Sequence, residues 1–196
     1  NTELSMVRFG YAPEEIERAR DNFGGFGSVI RPMPTCYQRL VDGTLLKING
    51  SQWQVIVGRG HSPEHACLYN PELNLLLSGD QVIPRITSNI SVSGSEPEAN
   101  PLKDWFHSLE HFLETLPADT LVLPALNVPF YGLHHRLRAL IDHHEDHLLA
   151  LEEACLGDPP TVQELIPVMF KQELDENNHG LALGECVAHL NYLHHL

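Results

Sequence analysis

The sequence has few basic residues: 12 lysines and arginines stand against 26 acidic residues among 196, which gives a net charge of −14. A chain this acidic is repelled by phosphate backbones, which excludes nucleic acid as a direct partner. The sequence also lacks an apolar run near the roughly 18–20 residues that a membrane helix needs, so we expect no membrane partner. Its 42% hydrophobic content still suffices for the core of one domain with a small appendage.

Paired cysteines are missing as well. The four cysteines are widely scattered and form no CxxC motif: Cys36, Cys67, Cys155 and Cys186. Because Cys67 falls in a strand pattern and the last two in helical patterns, we interpret them as buried thiols of a reducing compartment rather than disulfides. The expected location is therefore cytoplasmic. Histidine, in contrast, is abundant with 13 residues, and it is the commonest protein metal ligand.

The chain up to Gly157 combines strand and helix patterns. A helix is predicted from Ala12 to Gly24, and turn signals then separate four strand-like runs, "TLLKI", "WQVIVG", "ACLYN" and "LNLLLSG". Apolar residues at spacings of three and four predict a helix from Leu102 to Leu116, capped by Asn100. A short buried strand, "DTLVLP", separates it from a long helix that ends near Gly157.

The last part of the chain has helical patterns only. Thr161 and Glu164 form a capping-box pattern, Pro167 should kink or restart that helix, and "GECVAHLNYLHHL" predicts a final helix. Strands first and helices after indicate an α/β layered domain over residues 1–157, followed by a helical C-terminal region over residues 158–196.

Two polar residues follow strand-like runs through sharp glycine turns. His61 follows "WQVIVG" after a turn that contains Gly58 and Gly60, and Asp80 directly follows Gly79 at the end of "LNLLLSG". Strand ends at the edge of a sheet combine rigid support with access, so active sites collect there. An imidazole and a carboxylate that meet at such an edge suit Zn, Fe or Mn. An ordinary turn role explains the same residues, and spacing alone does not decide.

Three segments, "GRGHSPEHACLY", "LLLSGDQVIPRI" and "LVLPALNVPFYGLHHRLRALIDHH", resemble in this order the later motifs of the metallo-β-lactamase superfamily. The resemblance runs from Pro32 to the end, and "SGDQVIPRITSNISV" and "PFYGLH" are similar to a bacterial hydrolase branch with a helical C-terminal region. It implies the C-terminal half of an αββα sandwich, in which His61 is a metal ligand and Asp80 both binds metal and acts in catalysis. The implied cofactor is zinc, as one or two ions, with iron or manganese as alternatives.

Two departures from the family pattern bear on activity. The HxHxDH motif, which would supply further ligands upstream, is absent, and Leu126 stands in "PALN" where the family pattern has histidine. We therefore expect the chain to be the C-terminal portion of a longer protein, to bind zinc weakly or not at all, and to hydrolyse little alone. The alternative is a degenerate, non-catalytic member that serves as a binding or scaffold domain.

Other polar residues near the two motifs are candidates for contacts with a small-molecule substrate. His65, Arg85 and Asn127 are assigned to substrate binding. Support of the metal or a loop role are the alternatives for His65, and surface pairing is the alternative for Arg85. Asn89 is a candidate for a hydrogen bond beside the site, with a turn role as an equally good alternative. The substrate class, whether thioester, lactone, lactam or phosphodiester, stays open because a fold does not choose among them.

The segment "DHHEDH" places His143 and His147 at the i, i+4 spacing of a metal-binding pair on a helix. That helix already uses its apolar stripe for packing, and His144 falls near the stripe. A solvated or partly packed face is therefore the preferred interpretation of this segment.

The strand-like runs are nearly continuous in apolar residues, which implies burial of both faces of the sheet. The helices at Leu102–Leu116 and Leu133–Leu151 can cover one face, and no other segment is rich in strand signals. We therefore expect a partner on the second face, either the missing N-terminal half of the fold or a second copy of the chain.

Overall fold

The computed structural model of the chain describes residues 2–21, 35–158, 160–172 and 174–196. Two short helices lie at its start: α1 spans Thr2–Phe9 and α2 spans Pro13–Asp21. The sequence pattern predicts only the second of them. The predicted end of that helix at Gly24, and the start of the family resemblance at Pro32, lie outside the described residues.

Five strands form a sheet in sequential order: β1 Leu45–Ile48, β2 Ser51–Gly58, β3 His65–Asn70, β4 Leu75–Gly79 and β5 Leu121–Pro124. The first four are antiparallel neighbours, while β5 pairs with β4 in parallel, which requires the long crossover between them. The β1–β2 hairpin turns at Asn49 and Gly50, whose φ values of 49° and 87° fit a type I′ turn. The predicted hairpin is thus confirmed.

Two long helices cover one face of this sheet. Helix α3 spans Pro101–Thr115 and α4 spans Leu133–Ala154. Asn100 caps α3 as predicted, because its side chain accepts a hydrogen bond from the Lys103 N–H at 3.2 Å. Burying a large apolar side chain stabilises the fold by roughly 1.5–3 kcal/mol. The shared core includes Ile56, Cys67, Tyr69, Leu76 and Val122 from the strands and Trp105, Leu109, Phe112, Leu137 and Leu140 from the helices.

Two further helices form the C-terminal region. Helix α5 spans Val162–Met169 and begins with the predicted capping box. It continues through Pro167 as one element, so the predicted restart is wrong, and it ends two residues later. Helix α6 spans Glu176–His194. Leu151 of α4 packs with Leu165, Met169 and Cys186 in a common buried cluster, which joins this region to α4.

Helix α6 begins well before Gly184, where the predicted pattern starts. Gly180 and Gly184 interrupt the apolar pattern, yet both are places where other segments approach the helix closely. The Tyr11 hydroxyl donates to the Gly180 carbonyl at 3.0 Å. A Cβ on Gly184 would lie 3.1 Å from the Ser91 side chain and 3.2 Å from the Val92 carbonyl oxygen. These glycines therefore allow packing and do not break the helix.

The four cysteines are free thiols. Cys67 and Cys186 are buried as expected, and burial raises the pKa of each to about 12, whereas Cys155 is only partly buried and Cys36 is exposed. Among the helices that the structure describes, none is long and apolar enough to cross a bilayer.

The opposite face of the sheet carries an apolar row that remains partly open. The strand register aligns Val55, Leu68, Leu77 and Leu123 across β2 to β5. Leu68, Leu77 and Leu123 are partly exposed and belong to none of the buried core clusters of the described residues. The described part of the chain thus covers one face well and the other incompletely.

Candidate metal centre

His61 reaches the edge of the sheet through a turn that requires glycine. Strand β2 ends at Gly58, and the chain then passes through Gly60 at φ 101°. Residues other than glycine rarely adopt this backbone conformation. A Cβ on Gly60 would lie 2.6 Å from the Trp105 Cβ and 2.8 Å from the Pro101 carbonyl oxygen. The turn therefore lies directly against α3 and places His61 just beyond the strand.

Asp80 follows β4 through a second tight glycine turn. Gly79 has a φ of 54°, and a Cβ there would meet the His65 Nε2 at 2.3 Å, so the His65 ring packs over this strand end. His65 is the first residue of β3 and pairs with Gly58, which removes the alternative that it lies in a loop. The Ser88 hydroxyl donates to the Asp80 carbonyl and holds the following loop against the turn.

The two residues meet at the same edge, and this closeness is what the sequence predicts. His61 Nδ1 lies 2.9 Å from the Asn89 carbonyl oxygen; because a carbonyl only accepts, Nδ1 carries the proton and Nε2 keeps its lone pair. That Nε2 lies 4.0 Å from Asp80 Oδ2. The other oxygen, Asp80 Oδ1, is buried and has no hydrogen-bond partner in the described part of the chain.

The distance between His61 Nε2 and Asp80 Oδ2 fits two groups that bind one metal ion better than it fits a direct hydrogen bond. A hydrogen bond needs about 2.7–3.2 Å, and two ligands of one tetrahedral zinc ion lie about 3.3 Å apart. The separation of 4.0 Å between His61 Nε2 and Asp80 Oδ2 is too long for the first and near the second. A buried carboxylate oxygen without a partner is also costly unless something binds it. The residues present therefore fit a metal ion, to which they offer two candidate ligands.

His65 stands beside the pair as another imidazole, with its ring centroid 6.1 Å from that of His61. Burial is the main cause that lowers the pKa of His65, and the neighbouring His61 lowers it further, whereas Asp80 and the Ser78 backbone act in the opposite direction. His65 is therefore neutral near pH 7, the form in which an imidazole nitrogen accepts a hydrogen bond or binds a metal.

Leu126 lies where a further ligand would be expected. The Ala125 N–H donates to the Gly79 carbonyl at 2.9 Å, so the segment after β5 begins beside the turn that carries Asp80. Leu126 follows this contact and is 50% exposed. An exposed leucine at this edge cannot coordinate a metal, and the position thus contributes nothing to binding.

Arg85 and Asn127 are both exposed. Within the residues that the structure describes, no hydrogen bond or ion pair joins either of them to His61 or Asp80. The loop that carries Arg85 is held instead by Arg136 of α4, whose guanidinium donates to the Ile83 and Ile86 carbonyls at 2.7 and 2.8 Å. The sequence does not single out Arg136.

Asn89 connects the pair to the C-terminal helix. Its carbonyl accepts from His61, and its side-chain amide donates to Glu185 Oε2 on α6 at 2.9 Å. Glu185 is buried, and burial raises its pKa to about 7 against the opposing hydrogen bonds from Asn89 and Ile90. Sequence reasoning misses this link, because nothing in "GECVAHL" distinguishes Glu185 from a surface glutamate.

Together the fold and the edge define a class of protein: an α/β layered domain with imidazole and carboxylate groups gathered at one end of its sheet. A family model for the "Metallo-beta-lactamase-like, C-terminal domain" matches residues 148–196. A solved β-lactamase domain protein from Burkholderia ambifaria is 41% identical, with a TM-score of 0.82, over 90% of this chain and 53% of that one. A metallo-β-lactamase family protein from Thermus thermophilus is 28% identical, with a TM-score of 0.78, over 97% of this chain and 57% of that one.

The chain belongs to the metallo-β-lactamase superfamily, as its motifs indicate, and its fold is that of the matched structures. It spans little more than half the length of both solved proteins. Both of those proteins therefore contain structure beyond the part that this chain matches.

Proposed function

We propose that this chain is the C-terminal half of a metal-dependent hydrolase in which His61 and Asp80 supply two of the metal ligands. The observation that carries the proposal is the geometry of the pair. A His61 nitrogen with a free lone pair lies 4.0 Å from a carboxylate whose other oxygen is buried without a partner among the described residues. The expected metal is zinc, as one or two ions, with iron or manganese as alternatives.

When bound, such an ion supplies Lewis acidity and makes water nucleophilic near neutral pH. Asp80 would hold the ion through its carboxylate and orient the attacking water. His61 would hold it as a neutral imidazole whose orientation is fixed by the Asn89 carbonyl. His65, together with the exposed Arg85 and Asn127, contacts a small-molecule substrate, which is a thioester, lactone, lactam or phosphodiester. The buried thiols favour a cytoplasmic location.

Alone, this chain is proposed to bind zinc weakly at the edge and to hydrolyse little, because two ligands hold zinc poorly. The exposed Leu126 supports a second candidate function, a degenerate domain that binds or scaffolds without catalysis. The presence of both His61 and Asp80 at the edge favours the hydrolase, since a scaffold has no use for an unpaired buried carboxylate oxygen.

The open face of the sheet needs a partner. A row of partly exposed leucines, Leu68, Leu77 and Leu123, makes this face an association surface. The favoured occupant is an N-terminal half of the same fold, since this chain covers 53% and 57% of two solved relatives. Sedimentation of this chain should show association, accompanied by binding of a dye for apolar surface. A stable, dye-negative monomer would mean that the face is closed in another way.

Zinc titration of this chain, measured by competition with a chromophoric chelator, tests the metal pair. Asp80→Asn and His61→Ala should each remove the same weak binding step, because both change the edge. Asp119→Asn is the matched control, since Asp119 is an exposed aspartate away from the pair. Identical titrations for the unmodified chain and Asp80→Asn would overturn the assignment of the pair.

Leu126→His tests whether the missing ligand at this position limits activity. We expect no hydrolysis by this variant, because the upstream HxHxDH ligands are still absent from the chain. Hydrolysis of a thioester or lactone panel by Leu126→His would show that the pair and one added histidine suffice, and the expectation of an inactive half would then be wrong.

A further inference from the structure

Three histidines meet inside the protein where α4 contacts α6. His144 and His147 belong to α4 and His189 to α6, and one ring nitrogen from each lies within 4.8 Å of the other two. His144 and His189 are fully buried, and His147 is partly buried. The i, i+4 pair that the sequence offers, His143 and His147, therefore describes only part of this arrangement. Its interpretation as a partly packed face omits His189 altogether.

The hydrogen bonds of these rings leave two nitrogens without partners. His189 Nδ1 donates to the Glu185 carbonyl at 2.8 Å, so His189 Nε2 carries a lone pair. His144 Nδ1 lies 3.1 Å from that Nε2 and can donate one hydrogen bond to it, which satisfies these two nitrogens only. His144 Nε2 and His147 Nδ1 remain buried with no hydrogen-bond partner in the described part of the chain. A cluster held by hydrogen bonds alone is thus incompletely satisfied.

The surroundings favour neutral imidazoles. The rings of Trp105 and Phe106 meet His144 edge to face, with centroids 6.3 and 6.2 Å away. Burial lowers the pKa of His147 and of His189 to about 4 and lowers the pKa of His144 well below its usual value. Neutral imidazole is the form that binds transition metals, so hardly any proton has to be displaced near pH 7.

We propose that His144, His147 and His189 form a second metal site, which binds zinc. Three imidazoles match the ligand set of zinc sites that leave the fourth position to water. In the tautomer of His144 that carries its proton on Nε2, His144 Nδ1 and His189 Nε2 both offer lone pairs. They lie 3.1 Å apart, near the spacing of about 3.3 Å between ligand nitrogens of tetrahedral zinc. One nitrogen of the partly exposed His147 already lies within 4.8 Å of the other two, and a shift of this side chain completes the site.

The ion clamps α6 to α4. Glu185, one turn before His189, accepts a hydrogen bond from the Asn89 side chain, and the Asn89 carbonyl holds His61. The second site thus supports the position of His61 through Glu185 and Asn89, and it shares no ligand with the pair of His61 and Asp80. This second site does not depend on the proposed hydrolase activity, because it shares no residue with the pair of His61 and Asp80.

Cobalt(II) titration of the full chain carrying His61→Ala and Asp80→Ala tests the site, since the edge pair is then gone. We expect the visible bands of tetrahedral cobalt to grow up to one equivalent and to disappear on addition of zinc. His147→Ala in this background should weaken cobalt binding about 10-fold or more. His135→Ala, which changes an exposed histidine of the same helix, should leave binding as it was.

Thermal unfolding supplies a second readout, because a metal that binds only the folded state raises its unfolding temperature. Zinc should raise that temperature in the edge-deleted background and in its His135→Ala derivative, but not in His147→Ala. If His147→Ala does not fold, His147→Gln takes its place. Absence of cobalt bands, or bands unaltered by the loss of His147, would show a metal-free histidine cluster and overturn the proposal. Since the edge pair is deleted throughout, neither result bears on the hydrolase assignment.

Discussion

The two histidine sites of this protein are built in opposite ways. At the sheet edge, His61 and Asp80 each leave a strand through a glycine turn, stay partly exposed and combine imidazole with carboxylate. Between α4 and α6, imidazoles from two helices are buried together without a carboxylate among them. An open pair of imidazole and carboxylate suits chemistry on a substrate, whereas a closed set of imidazoles suits holding two helices together.

Trp105→Ala should have the largest effect, because Trp105 supports both sites. Its Cβ lies against Gly60 at the edge, and its ring meets His144 in the interior. Loss of this fully buried side chain should lower the free energy of unfolding by about 3–5 kcal/mol in urea titrations. Metal binding should weaken at the interior cluster, which loses its ring contact, and should weaken less at the edge, because alanine keeps the Cβ that lies against Gly60. Trp53→Ala, which changes a partly exposed tryptophan of β2, is the control and should spare both.

Glu185→Gln tests the residue that links the two sites, in chelator-treated protein. The folded pKa of Glu185 is about 7, compared with a usual value of 4.5. The stability contributed by its protonated form is complete below the lower value and is lost as pH rises through the upper one. Across this window the unmodified chain should lose about 3 kcal/mol relative to Glu185→Gln. A stability difference that does not change with pH would contradict the buried carboxyl.

Gly79→Ala should damage the edge and leave the interior cluster intact. Gly79 has a φ of 54°, and the added Cβ would meet His65 Nε2 at 2.3 Å. Left-handed strain should cost about 1–2 kcal/mol, and the shift of the turn that carries Asp80 should weaken zinc binding at the edge. Gly132→Ala is the matched control, because Gly132 has a φ of 92° and nothing within 4 Å of an added Cβ. Gly132→Ala should lower the free energy of unfolding by a similar amount but leave zinc binding at the edge unchanged.

Asp80→Asn should have the smallest effect on folding. Its carboxylate lies 4.0 Å from the neutral His61 ring, too far for a hydrogen bond, so the free energy of unfolding should change by less than about 1 kcal/mol. Cobalt binding by the three-histidine cluster should be unaffected. A large loss of stability, measured by urea titration, would mean that Asp80 serves the fold rather than a metal.

Local patterns predicted much of the fold because each acts over a few residues. The turn at Asn49 and Gly50, the Asn100 cap and the capping box at Thr161 all form as predicted. The same reasoning fails for α6, where glycines that look like helix breakers serve the close approach of Tyr11 and Ser91. A pattern of residues carries no information about which segment packs against it.

The sequence by itself determined the edge pair, since glycine turns at the ends of neighbouring strands bring His61 and Asp80 to the same end of a sheet. The identity of the family followed from the same motifs. Only the tertiary structure decided that His144 meets His189, 45 residues further along the chain, and that Glu185 is buried against Asn89. Those contacts depend on how α6 packs on α4 and on the loop after β4. Burial, unlike turn chemistry, is a property of the assembled core and not of local spacing.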